Sequence, residues 1–358
     1  MKVTVDAARF RTALETVNKT VKSFPECPVM EQIRVEVKNG ICTLTGSNLE
    51  QFLVANFPVQ GGEAFTCVLQ RPKLALKASK HFSGELILDY DGPGHVLRLE
   101  NGQRSCELFT TEDEYPSLPP LGDDPDVYTT NAARLNSRYG HIKYATVNDK
   151  ERPAFGGIRF LDDRLAAIGR QRMAINKDGA FTVRKPFILP APAMKLLPLF
   201  GDAEISLSVG KLWSVMASEE LRLYTRLLAL DTFDVDAPIP KQFRETYTVD
   251  PNQYAKELHY LNEFVTDIDH TQAVFENGAL TVSTARGQFR TEVDVEGSAQ
   301  IKYAVAPQYM MEAMGQFKDT GRVTVNVNAA SGAIVLTEAT GENLALVLPM
   351  RLRESAAA

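Results

Sequence analysis

Three stretches of the chain place large apolar residues at i, i+4 and i+7: Phe10, Leu14 and Val17; Leu135, Tyr139 and Ile142; Tyr254, Leu258 and Leu261. That spacing lines one face of an amphipathic helix. Each stretch opens with Thr, one further residue, then Asp or Asn: TVDAARFRTALETV from Thr4, TTNAARLNSRYGHI from Thr129, TVDPNQYAKELHYL from Thr248. Asp6, Asn131 and Asp250 are therefore predicted N-caps, accepting from backbone N–H groups that the first helical turn leaves without partners. Pro251 stands at the first helical position, where its missing N–H removes nothing.

Strand signals follow each helix. Hairpin-like runs span Ile33–Thr45, Ile158–Ile168 and Ala273–Ser283, with turn residues at Asn39-Gly40, Asp162-Asp163 and Asn277-Gly278. A second helix is predicted behind Pro72, Pro192 and Pro307, carrying Leu74, Met194 and Tyr309. Alternating strands such as His95–Leu108, Leu221–Leu230 and Ala333–Met350 close each repeat. The period is about 120 residues, domain size and far longer than a solenoid repeat. Loops rich in Pro and Asp at Pro116–Pro125 and Asp231–Pro240 make natural linkers. The pattern predicts an α+β fold of three repeated domains, 1–122, 126–244 and 246–358, each with two helices and about eight short strands.

Composition adds little to that. The 358 residues are 44% hydrophobic and 23% charged, an ordinary globular balance. No run approaches the roughly 20 apolar residues of a membrane span. The start, Met1-Lys2-Val3-Thr4-Val5-Asp6, has no apolar signal core, so a cytoplasmic protein is expected. Cys27, Cys42, Cys67 and Cys106 all lie in the first third and form no CxxC pair. They do not make a disulfide framework, and Cys42 and Cys67 read as small core residues.

The net charge of −6 argues against nucleic acid only until its distribution is considered, because phosphate responds to local fields. Between Glu63 and Glu85 there is no acid, and Arg71, Lys73, Lys77, Lys80 and His81 lie there. Lys73, Lys77 and Lys80 share one helical face. Between Asp126 and Asp149 there is again no acid, and Arg134, Arg138 and His141 repeat the spacing, with Lys143 nearby. Between Asp178 and Asp202 the charges are Arg184, Lys185 and Lys195. Such faces suit sequence-independent phosphate contact. A solvated helix face is the other reading. The third repeat weakens the phosphate reading, since its first helix places Glu257 and Glu263 beside Lys256.

The sequence carries no recognisable catalytic pattern. His81, His95, His141, His259 and His270 form no metal-ligand spacing, and there is no GxGxxG, GxxxxGK[ST] or GxSxG. Asp123-Asp124 and Asp162-Asp163 sit in turn-like contexts. No cofactor, metal or catalytic residue is expected.

Several local motifs resemble the bacterial beta sliding clamp, the beta subunit of DNA polymerase III. They are the opening MKVTVDAARFRTAL, Gly46-Ser47-Asn48-Leu49-Glu50, the run ending Glu114-Tyr115-Pro116-Ser117-Leu118, and Leu348-Pro349-Met350-Arg351-Leu352. The resemblance spans essentially the whole chain. It implies a head-to-tail homodimeric ring of six domains, helices inside and sheets outside, encircling double-stranded DNA as a non-catalytic processivity factor. It implies a pocket for short motifs of the polymerase III alpha subunit, the clamp-loader delta subunit and other partners, at Phe155, Arg172, Met173, Tyr309, Leu346, Leu348, Pro349, Met350, Arg351 and Leu352. The DNA-facing set becomes Lys22, Arg71, Lys73, Lys77, Lys80, Arg134, Arg138, Lys150, Arg152 and Lys195. For the dimer seam the expectation is Cys106 and Leu108 against Phe264 and Val265.

The sequence also departs from the family. Its T-D-G-H-R-L appears as Ile168-Gly169-Arg170-Gln171-Arg172-Met173, its linker Arg is replaced within Ala237-Pro238-Ile239, an Asn appears as Ala306, and Arg353–Ala358 extends past the usual end. These changes suit a divergent clamp or a paralogue with altered partners. Two rivals remain: a monomeric triplicated scaffold that never encircles DNA, and a hydrolase using the Asp-rich loops.

Overall fold

Ile33, Val35 and Val37 alternate with Arg34, Glu36 and Lys38, and the apolar set is buried while the polar set is not. This period of two recurs through the molecule and sets its sheets. A computed structural model describes residues 1–22, 27–102, 104–111, 113–179, 181–265, 272–284 and 287–352. The tail Arg353–Ala358 and His270 lie outside the described residues. The chain divides into two compact units, Met1–Leu135 with Lys195–Leu227, and Asn136–Met194 with Leu228–Ala358.

Six α-helices occur among the described residues: α1 (Ala7–Val17), α2 (Pro72–Ser79), α3 (Ala132–Ile142), α4 (Ala191–Met194), α5 (Pro251–Asn262) and α6 (Pro307–Met314). The expected caps are present. Asp6 accepts from Arg9 N at 2.8 Å, Asn131 from Arg134 N at 3.0 Å, and Asp250 from Asn252 N and Gln253 N at 2.8 and 3.2 Å. The apolar faces read from the sequence are buried in α1, α3 and α5. The helix behind Pro192 is shorter than the pattern suggests. α4 has four residues and gives way to a 3-10 turn at Leu197–Phe200, which carries Pro198. A proline there has no N–H for an α-helical hydrogen bond.

One strand order recurs three times. In the first copy Lys2–Asp6, Glu85–Asp91, Val96–Asn101 and Arg104–Thr111 lie side by side, as do Phe65–Leu69, Ile33–Lys38, Ile41–Ser47 and Gln51–Pro58. The second copy repeats this with Asp126–Asn131, Glu204–Val209, Trp213–Ala217 and Leu221–Arg226, and with Phe187–Pro190, Gly157–Leu161, Arg164–Ile168 and Arg172–Lys177. The third has Glu245–Val249, Val323–Val327, Ile334–Thr337 and Asn343–Val347, then Tyr303–Val305, Ala273–Glu276, Ala279–Thr284 and Gly287–Glu292. Its one addition is the two-residue strand Glu296–Gly297. The hairpin turns are those expected. Asn39 and Gly40, and Asn277 and Gly278, take the positive φ that a tight two-residue turn requires, and Asp162 does so as well.

The last strand of each four-strand run decides how copies join. The outer strand Gln51–Pro58 pairs antiparallel with the closing strand Leu221–Arg226 in the first unit, from Gln51↔Thr225 to Ala55↔Leu221. The outer strand Arg172–Lys177 pairs in the same way with the closing strand Asn343–Val347 in the second, from Arg172↔Val347 to Asn176↔Asn343. Two such strands remain without that neighbour. Among the described residues, Gly287–Glu292 pairs only with Ala279–Thr284, and Arg104–Thr111 meets a strand other than Val96–Asn101 only through Thr110 and Thr111.

Cys42 and Cys67 are buried, as read, and burial pushes both thiols up, Cys67 to about 12. In the second unit the segment Asp231–Asp236 is held by two bidentate pairs. Arg159 donates to both Asp231 carboxylate oxygens at 2.6 and 2.7 Å, and Arg164 to both of Asp236 at 2.7 Å. Arg159 holds the Asp231 carboxyl below the usual range, and Arg164 does so for Asp236. A lowered folded pKa gives stability that is complete above the unfolded value, about 3.9, and is lost as pH falls through the folded value. We expect the melting temperature to fall more steeply below about pH 4 than in an Arg159→Met/Arg164→Met variant. Parallel pH profiles in circular-dichroism melts would remove this linkage.

Candidate functional site

Most residues expected in the partner pocket come together in the second unit. Met173 stands opposite Leu346 on the paired outer and closing strands. Both are buried in one apolar cluster with Phe155, Ile168, Ile175 and Val335. Phe155 arrives from the 3-10 turn Pro153–Gly156, which opens with a proline. These three residues form a floor beneath the surface. The chain then leaves the closing strand: Leu348 N donates to Gln171 O at 2.9 Å and Met350 N to Ala304 O at 2.7 Å. Leu348 and Arg351 are exposed, and Pro349, Met350 and Leu352 are half-buried.

Arg172 is the charged centre of this region. Its guanidinium lies 4.7 Å from the Tyr309 ring centroid and 5.8 Å from that of Tyr144, and it pairs with Glu312 on α6. Burial lowers the Arg172 pKa, yet a guanidinium starts so high that it stays charged at neutral pH. Burial raises the Tyr144 phenol, leaving it a neutral hydroxyl. Gly169 allows the approach behind Arg172, because a Cβ there would sit 2.7 Å from Ala145 O. The altered segment also has its own anchor. Arg170 Nε donates to Asp149 at 2.8 Å, and Asp149 accepts from Glu151 N and Arg152 N at 3.0 and 3.2 Å. Arg170, chiefly through that bond, holds the Asp149 carboxyl below its ordinary range. The loop so fixed sets the Arg152 guanidinium 5.5 Å from the Phe155 ring centroid. A rigid apolar floor, two aromatic rings and oriented Arg donors can grip a short peptide by its anchors.

Of the residues expected to face DNA, Lys22, Arg71, Lys73, Lys77, Lys80, Arg134, Lys150, Arg152 and Lys195 are exposed. On α2 the buried positions are Pro72, Ala75 and Ser79, leaving Lys73 and Lys77 in solvent. Arg138 must be withdrawn. It is 6% exposed, its Nε donates to Asn176 Oδ1 at 2.7 Å, its Nη2 donates to the carbonyls of Asn176 and Asp163, and Asp178 lies 3.7 Å away. We expect Arg138→Met to destabilise the fold by about 3 kcal/mol, as removal of one partner from a buried pair does, without weakening DNA binding. Urea unfolding beside a DNA titration checks both halves; an intact fold with weakened DNA binding would restore the first reading.

The seam residues also need correction. Leu108 is 5% exposed and belongs to the chain's own core, buried between exposed Glu107 and Phe109 on its strand. Cys106, Phe264 and Val265 are half-buried. Two residues on the strands left without a neighbouring copy were not read from the sequence: Phe109, 70% exposed, and Phe289, stacked on Phe264 at 3.7 Å. Phe109 was legible as an apolar residue on the polar phase of its strand. Tyr144 and Glu312, which flank Arg172, carried no local signal. Among the described residues there is no cluster of His, Cys, Asp and Glu suited to a metal, and no helix is long and apolar enough to cross a membrane.

No family model matches the chain. A beta sliding clamp of Staphylococcus epidermidis is 22% identical over 392 aligned residues, covering 98% of this chain and 99% of that one. Among solved structures, a putative DNA polymerase III beta subunit from Eubacterium rectale superposes with a TM-score of 0.89 at 12% identity, over 98% of this chain and 100% of its own. The DNA polymerase sliding clamp from Bacillus subtilis gives 0.88 at 16%, covering 99% and 100%. The architecture is therefore the mixed helix and strand fold of the sliding clamps. The chain resembles the DNA polymerase III beta subunits throughout its length, as a divergent relative.

Proposed function

We propose that this chain is a DNA sliding clamp: a non-catalytic processivity factor of DNA replication that closes as a head-to-tail homodimer around duplex DNA. Its three domains are 1–122, 126–244 and 246–358, and it works in the cytoplasm. The observation that carries the reading is the thrice-repeated strand order. Each outer strand takes the next copy's closing strand, and this leaves one outer edge, Gly287–Glu292, and one closing edge, Arg104–Phe109, at the two ends of the series. Two chains satisfy both edges by repeating the same join twice, so a heterologous contact closes instead of growing into a fibre. Around that seam stand Cys106 and Phe109 on one side, and Phe264, Val265 and Phe289 on the other.

Small-angle scattering at micromolar concentration tests the ring. A mass near twice 39.6 kDa with a hollow pair-distance distribution is expected, and a monomer at every concentration would return the scaffold reading. The exposed basic residues then face phosphate without reading bases. Replacing Lys73, Lys77 and Lys80 by Glu should weaken DNA binding and lower the salt slope by roughly 3, at about one unit per lost phosphate contact. Salt slopes equal in variant and parent would exclude this face. The pocket around Arg172 and Tyr309 would capture motifs of the polymerase III alpha subunit, the loader delta subunit and other partners.

A further inference from the structure

We propose that the first unit carries a second peptide groove, beside the join of Gln51–Pro58 with Leu221–Arg226, which takes a short apolar segment flanked by basic residues from a partner protein. The position follows from the repeat. Where Leu348 N donates to Gln171 O, Arg226 N donates to Glu50 O, both at 2.9 Å. Where Met173 faces Leu346, Phe52 faces Tyr224. The 3-10 turn Pro28–Glu31, with buried Met30, stands in the place of Pro153–Gly156 with Phe155. The strand join that shapes the candidate partner pocket is thus built twice in the chain.

The first-unit version is open. A cavity of about 420 Å³ lies there, walled by Leu49, Phe52, Tyr115, Pro116, Trp213 and Glu114. Trp213 meets the Phe52 ring edge-on, with centroids 5.9 Å apart. Leu49 is 45% exposed at the mouth, on a turn pinned by Ser47 Oγ accepting from Leu49 N and by Asn48 Oδ1 accepting from Glu50 N and Gln51 N. Leucine and indole surface left in solvent beside a concavity suits an aromatic or aliphatic anchor.

The charge is what separates the two sites. In the second unit the central ion is Arg172, already paired with Glu312. In the first, the one charged wall residue among the described residues is Glu114, with exposed Asp113 next to it in the chain. An acidic wall beside apolar surface selects a lysine or arginine next to the anchor. The inference rests on strand topology and the cavity, and holds whether or not the second-unit pocket binds anything.

The chain has one tryptophan, so its emission reports on this groove directly. The full-length protein is titrated with an acetylated, amidated pentapeptide, lysine-leucine-leucine-phenylalanine-lysine. A saturable blue shift of Trp213 is expected, weakened about tenfold by Glu114→Lys, weakened also by Leu49→Glu, and unchanged by Tyr309→Ala. Silence of Trp213 up to about 1 mM peptide would overturn the proposal. So would a response indifferent to both Glu114→Lys and Leu49→Glu. A response that disappears only in Tyr309→Ala would place the peptide in the second unit and also remove the groove.

Discussion

Replacing Glu107 with proline should weaken the proposed dimer towards monomers while leaving each monomer folded. The direction of the backbone groups decides this. Thr110 N donates to His95 O, and Phe109 O accepts from Gln70 N on the other side. N–H and C=O of one strand residue point the same way, and neighbours alternate. Ser105, Glu107 and Phe109 therefore aim their backbone groups at the open edge, and Cys106 and Leu108 aim theirs at Val96–Asn101. Proline at Glu107 removes no internal ladder bond, and edge positions tolerate it. The Arg98 pairing that Glu107 gives up is exposed and adds little. Against a partner strand the lost donor leaves a carbonyl without its hydrogen bond, a cost of about 2 kcal/mol, roughly thirtyfold in dimer Kd. Sedimentation velocity across concentration checks this. Unchanged association would mean the chains do not meet at this edge.

If the proposed pocket takes polymerase and loader motifs, Tyr309→Ala should weaken their capture by at least about thirtyfold. The Tyr309 ring packs against the third-copy core and lies over the Arg172 guanidinium. Truncation removes an aromatic wall and releases Arg172 from one of its two rings. A central aromatic anchor of this kind is worth at least about 2 kcal/mol, some thirtyfold in Kd. Calorimetry with a polymerase alpha-subunit peptide measures it, with far-ultraviolet circular dichroism as the check on folding. Affinity within a factor of about two of the parent would show that the motif is held elsewhere.

Local signals carried most of the fold. Caps at Asp6, Asn131 and Asp250, turns at Asn39-Gly40 and Asn277-Gly278, and helical apolar spacing depend on residues a few positions apart, and all are present. The second helix of the middle copy was overread, because Pro192 marks a helix start but says nothing of its length. Arg138 failed for a different reason. Its spacing with Arg134 and His141 places three basic residues on a helix face, but the face is decided by Asn176 and Asp178, about 40 residues away, which no local pattern reveals. Leu108 failed because a two-residue period gives alternation without saying which phase is inward. In the candidate pocket, Leu346–Leu352 was legible as a motif. The ion pair of Arg172 with Glu312 was not, since the two are brought together only by the outer and closing strands and α6.

The joins between copies differ in how they are held. Within a chain, Gln51–Ala55 meets Leu221–Thr225, and Arg172–Asn176 meets Asn343–Val347, with covalent linkage on their side. Such tethering fixes a local concentration in the millimolar range that dilution does not change. The proposed join between chains has no tether and sees only the ambient subunit concentration. A ring of six copies would thus have four permanent joins and two that answer to mass action. A factor that opened such a ring would need to compete at one exposed strand edge, and the chains it left behind would stay folded and ready to close again.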